Sequence, residues 1–177
     1  MSVCKVVMLV PSREFRDEEY SVPREILEQG GCEITVASSS ARPCRGRFGL
    51  EAKTDLILDE VKPEDYDAIV MVGGPGAAEY FRNPAAHRLV KDFFSQGKLL
   101  GAISTAPSIL ANAGVLKGRR ATSYSSEHNI LKMNEALLGR GSVEMDFNII
   151  TANGPEASKD FGEALLNKLM EAKVEGQ

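Results

Sequence analysis

Residues 100–108 (LGAISTAPS) set a hydroxyl where an apolar strand passes into a helix with almost no loop between them. That layout is a nucleophile elbow, and Ser104 stands at its corner. Such a corner forces a strained backbone and lifts the side chain above the sheet. The following helix aims free N–H groups and its positive dipole end at the same point. On this segment alone, Ser104 is equally readable as a simple cap of that helix. A second segment, 72–76 (VGGPG), has the glycines that let backbone N–H groups approach a ligand closely. Those N–H groups are either oxyanion donors or part of a plain tight turn. A third, 16–23 (RDEEYSVP), gathers Asp17, Glu18 and Glu19 at a helix start. There carboxylates either complement the helix dipole or supply one catalytic group.

A serine hydroxyl is a poor nucleophile without an adjacent base, which is usually histidine. The chain has two histidines. His87 falls inside a predicted helix, and His128 lies four residues beyond Tyr124, so neither is expected to reach Ser104 within one subunit. Glu19 is able to hydrogen-bond Ser104, but an ordinary carboxylate is a weak base for an alcohol. A serine also cannot follow the stepwise oxidation of a thiol. Cys4, Cys32 and Cys44 are widely spaced, without a CxxC pair, and read as small apolar residues of a reduced compartment. Cys44, in a polar loop, is expected to be the most exposed. No spacing of His, Cys, Asp or Glu suits zinc, so no metal is expected. No GxGxxG opens a helix and no GxxxxGK[ST] occurs, which argues against a nucleotide. No cofactor is expected.

The elements that position these residues follow from the hydrophobic pattern. With 43% apolar and 26% charged residues, the composition is that of an ordinary globular protein. A length of 177 residues suits a single domain spanning 1–177. Net charge is −4 and no basic stripe forms, which excludes nucleic acid as a main partner. Arg42, Arg45, Arg47 and the pair Arg119–Arg120 read as solvated charges. No stretch has the length of a membrane span or the flanks of a signal peptide, so the expected setting is cytoplasmic, without a membrane partner. Strands are predicted over 5–10, 33–37, 68–72, 99–103, 121–123 and 148–151. Helices are predicted over 17–29, 84–96, 106–113, around 129–138, and 158–172, with a loop or hairpin over 38–53. This alternation builds a parallel sheet whose strand ends carry ligand sites. Glu19, Gly73–Gly74, Ser104–Thr105 and Tyr124 should converge there.

Taken in order, 19–23 (EYSVP), 72–74 (VGG), 102–107 (AISTAP), 121–124 (ATSY) and 151–155 (TANGP) resemble the landmarks of the DJ-1/PfpI superfamily. The strings 111–118 (ANAGVLKG) and 150–155 (ITANGP) resemble its PfpI branch especially. The resemblance runs from Lys5 to about Leu169. It implies a class I glutamine amidotransferase-like fold, a flavodoxin-like three-layer α/β/α sandwich with a mainly parallel sheet. It also implies a homodimer or higher homo-oligomer. By position, Ser104 stands where the family usually carries its reactive cysteine, and Glu19 matches the glutamate bonded to it. Gly74 and Thr105 would supply backbone oxyanion donors, and Thr105 replaces the histidine common in PfpI-type members. Gly73, Tyr124, Pro155 and Arg16 are further candidates for the pocket lining. Implied activities are peptidase, glyoxalase and deglycase reactions on peptides or small carbonyl compounds, alongside chaperone-like roles. With serine at the elbow, three readings stay open. The chain is an enzyme whose cysteine was replaced, in the laboratory or in one lineage, and is now impaired. Or it is a serine hydrolase with an unusual base, or a non-catalytic binding relative.

Overall fold

Short β-branched runs bounded by turn residues become the strands of one central sheet in the computed structural model, which describes residues 3–176. The first half of the chain forms β1 (Cys4–Leu9), β2 (Arg13–Phe15), α1 (Asp17–Gln29), β3 (Cys32–Ser38), β4 (Cys44–Gly46), β5 (Glu51–Ala52), β6 (Leu56–Ile57) and β7 (Ala68–Met71). The second half adds α2 (Pro84–Ser95), β8 (Leu99–Ile103), α3 (Pro107–Asn112), β9 (Arg120–Ala121) and α4 (His128–Met133). It closes with β10 (Leu137–Leu138), β11 (Val143–Asp146), β12 (Ile149–Ala152) and α5 (Ser158–Glu175). Among the described residues the central sheet holds seven strands in the order β11-β12-β8-β7-β1-β3-β6. All its pairs are parallel except β11 with β12.

Alternate residues of each strand leave opposite faces, so the sheet builds two apolar layers. Val7, Leu9, Ile69, Met71 and Leu100 pack toward α2 and α3. Val6, Met8, Val70, Val72 and Ile150 pack toward α1 and α5. This is the flavodoxin-like α/β/α sandwich. Gly101 lets α5 sit directly on β8, because a Cβ there would lie 2.7 Å from Leu165 Cδ2 and 3.1 Å from Phe161 Cζ.

Three expectations need correction. Residues 121–123 do not extend the central sheet: β9 pairs in parallel with β10 in a separate two-stranded sheet. The strand beyond β12 is instead β11, whose half-buried Val-Glu-Met-Asp run alternates apolar with polar over only four residues, too few to stand out. The helix around 129–138 stops at Met133, because Glu135 turns into the left-handed region at φ 63° and starts β10. Cys44 is buried rather than exposed. The 38–53 excursion is a hairpin, β4–β5, paired onto β2, and this encloses the Cys44 sulfur 3.4 Å from Thr54 Oγ1. Asp17 ties the hairpin tip to the start of α1 by accepting the N–H groups of Phe48 (3.0 Å) and Leu50 (2.9 Å). Among the described residues no helix is long and apolar enough to cross a membrane.

Phe161 is wholly enclosed between α5 and the sheet. Phe161→Ala should lower the unfolding free energy by about 3–5 kcal/mol, measured by urea denaturation, because the site beside Gly101 cannot collapse to fill the cavity.

Candidate active site

The carboxyl ends of β7 and β8 and the first turn of α1 meet at one point. Leaving β8, the chain turns sharply at Ser104, whose φ of 66° is left-handed and strained for a residue with a Cβ. Two backbone bonds hold it there: Ser104 N–H donates to Ala152 O, and Tyr124 N–H donates to Ser104 O, each at 2.8 Å. The capping alternative fails, because α3 is capped by Ala106 without any side-chain bond. Ser104 is thus an elbow residue, almost fully buried at the floor of a cleft of about 1120 Å³.

Glu19 approaches from α1 and is wholly buried. Between it and the elbow lies Gly73. A Cβ on Gly73 would fall 2.4 Å from Glu19 Oε2, 2.5 Å from Ile103 O and 2.8 Å from Ser104 Cβ. Only glycine permits that approach, since Ile103 O is backbone and cannot swing aside. The Arg16 N–H donates to Gly73 O at 3.0 Å and locks the entry of α1 against this turn. Burial pushes the Glu19 carboxyl up to about 8. The Ser104 hydroxyl, the Arg16 charge and the Gly73 N–H pull it back only in part. Neither carboxyl oxygen has a hydrogen bond of standard geometry, so those neighbours are close but imperfectly aligned. At neutral pH Glu19 is therefore mostly a neutral acid.

Of the two expected oxyanion donors, one is already occupied. The Gly74 N–H donates to Thr105 Oγ1 at 3.1 Å, while the Thr105 hydroxyl donates to Gly74 O at 2.8 Å. This reciprocal clamp leaves Gly74 unavailable to a substrate. The Thr105 N–H finds no acceptor among the described residues. Gly74 has φ 109°, and a Cβ there would strike the backbone of Arg16 and Glu14, so its glycine serves the turn.

The cleft brings Ser104, Glu19, Gly74 and Thr105 together with Arg16, Tyr124 and Pro155, as the sequence suggested. Gly73 lies beneath this group rather than on the cleft wall. Tyr124 is 49% exposed and stands at the mouth. Arg16 is held in place by Glu18 through a bidentate bond (2.9 Å at its shortest). Sequence reasoning missed Glu127, a buried acid on the wall that accepts hydroxyls from Ser108 (2.8 Å) and Ser126 (2.6 Å). It also missed that His128 lines the cleft. The one signal was its closeness to Tyr124 along the chain. Neither histidine turns to the elbow: His128 Nε2 meets Ser123 O at 3.3 Å, and His87 Nε2 meets Phe81 O at 2.8 Å.

A parallel α/β sandwich with a strained elbow over a buried glutamate defines the class of protein. The chain belongs to the DJ-1/PfpI family, whose model matches residues 4–168. It is similar to deglycase PfpI of Pyrococcus furiosus, at 36% identity over 67% of this chain and 71% of that one. It is also similar to the glutathione-independent glyoxalase DJR-1.2 of Caenorhabditis elegans, at 27% identity over 92% of this chain and 87% of that one. The crystal structure of a ThiJ/PfpI domain protein from Brachyspira murdochii matches with a TM-score of 0.94 at 29% identity, covering 97% of this chain and 99% of that one.

The raised Glu19 carboxyl has a definite sign in stability. Below about 4.5, its ordinary value, it is protonated in both folded and unfolded chains and has no effect. Between there and about 8 the unfolded chain releases a proton that the folded chain keeps, so stability falls as pH rises. Glu19→Gln should therefore match the parent at pH 4 and exceed it above pH 8 by an amount on the order of a few kcal/mol. Denaturant titrations across that range check the divergence.

Proposed function

We propose that this chain holds small carbonyl compounds, or the carbonyl of a peptide, in the cleft over Ser104 and turns them over slowly or not at all. Support for the cleft comes from the elbow, and from two relatives named for deglycase and glyoxalase activity. A carbonyl carbon set above Ser104 Oγ would direct its oxygen toward the Thr105 N–H. Attack requires the hydroxyl proton to leave, and the observation that supports the reading is that Glu19 is buried and its carboxyl pushed up to about 8. An acid that already holds its proton is no base for an alcohol, and no histidine hydrogen-bonds Ser104 in its place.

A thiol at the same corner meets a different balance. Its ordinary pKa, about 8.5, lies close to that of the Glu19 carboxyl, so a proton between them is shared at little cost. Methylglyoxal consumption by the parent chain should stay near the uncatalysed rate. Ser104→Cys should accelerate it by about 100-fold or more, the scale of one positioned acid–base partner, and adding Glu19→Ala should remove most of that gain. Rapid peptide hydrolysis by the parent that disappears in Ser104→Ala would instead establish a serine hydrolase. Inactivity of every form, together with suppressed aggregation of a denatured client, would establish a binding protein.

A further inference from the structure

The end of the sheet away from the cleft holds a second pair of groups able to do chemistry. β1 and β3 run parallel in a register that sets Cys4 directly beside Cys32. Paired residues of neighbouring strands leave the same face, and both cysteines lie in the apolar layer beneath α1 and α5. Neighbouring strands are about 4.8 Å apart, inside the range of about 4.4–6.8 Å between Cα atoms that a disulfide spans. Both are free thiols. Each thiol perturbs the other: the Cys32 sulfur and burial hold Cys4 protonated, while Cys4 draws the Cys32 thiol down. The Lys173 ammonium, from α5, favours a thiolate at either position, and the Asp67 carboxylate opposes it. Cys4 and Cys32 keep 4% and 5% of their surface, whereas Cys44 keeps none.

We propose that Cys4 and Cys32 form a reversible dithiol–disulfide couple, an oxidant-responsive site separate from the Ser104 cleft. A hydroperoxide serves as oxidant. The Cys32 thiolate attacks one peroxide oxygen, the O–O bond breaks, and the departing oxygen leaves as an alcohol after taking a proton. Cys4 sulfur then attacks the Cys32 sulfenic acid. The S–S bond forms as the S–O bond breaks, and water leaves with the Cys4 proton. Two thiols have lost two electrons, and one hydroperoxide has become an alcohol and water. The bond closes a loop of chain carrying β2 and α1, the segment that delivers Arg16 and Glu19 to the cleft. Because Ser104 cannot be oxidised in this way, the couple operates whatever the elbow does.

The test treats the full chain with hydrogen peroxide under native conditions, followed by alkylation of the remaining thiols, digestion and mass spectrometry. The expected result is a loss of about 2 Da before alkylation, for the two hydrogens removed, and a linked peptide pair containing Cys4 and Cys32. Dithiothreitol should dissolve the link, and Cys44 should remain a thiol. Cys4→Ala and Cys32→Ala should each abolish the link, with circular dichroism melts reporting that each variant folds; if one does not, the peptide map of the parent decides alone. A link through Cys44 overturns the proposal. So does sulfinic acid at Cys32 without a link, or intact thiols at peroxide levels that oxidise free glutathione.

Discussion

Burying a carboxyl group away from water and without a full countercharge is costly, and the protein does so at Glu19 directly under its elbow. The surrounding geometry follows from that placement. The carboxyl stays neutral to about pH 8 because the neutral form escapes most of the desolvation cost. Gly73 must lack a side chain because the carboxyl, the Ile103 carbonyl and Ser104 Cβ already fill its Cβ position. Ser104 must adopt φ 66° because β8 and α3 leave no room for a wider turn, and the Ala152 and Tyr124 bonds hold that strain. Three segments far apart in the chain therefore meet around one buried carboxyl group.

The Thr105–Gly74 clamp shows how a neighbouring residue reshapes such a site. A hydroxyl that both donates to Gly74 O and accepts from Gly74 N–H stiffens the glycine turn and removes one donor from the cleft. The Thr105 N–H carries no hydrogen bond among the described residues, and Arg16, also on the cleft, is committed to Glu18.

Much of the fold was legible before any coordinates. β8 and α1 fall where the apolar runs and the Gly30–Gly31 stop placed them, because buried parallel strands and amphipathic helices carry strong periodic signals. The failures lie where that signal is weak. β9, only two residues long, pairs with β10 outside the main sheet, and half-buried β11 is only four residues long. Cys44 looked exposed because its neighbours are Arg, Pro and Gly, yet strand pairing to β2 and contact with Thr54 enclose it. Local composition cannot report a contact made across tens of residues.

The site divides along the same line. The sequence by itself determined that Ser104 stands at a strand-to-helix corner, that glycines end β7, and that acids open α1, since each is a matter of residue type at short spacing. The resemblance singled out Glu19 among Asp17, Glu18 and Glu19, and only the tertiary structure supplied the physical reason. One turn of helix sends Asp17 to the hairpin, Glu18 to Arg16 and Glu19 inward. It likewise decided that the Gly74 N–H is spent on Thr105, that Glu127 and His128 line the cleft, and that Cys4 and Cys32 are neighbours. Those outcomes depend on helix rotation and strand register, which packing sets between segments that share no local sequence.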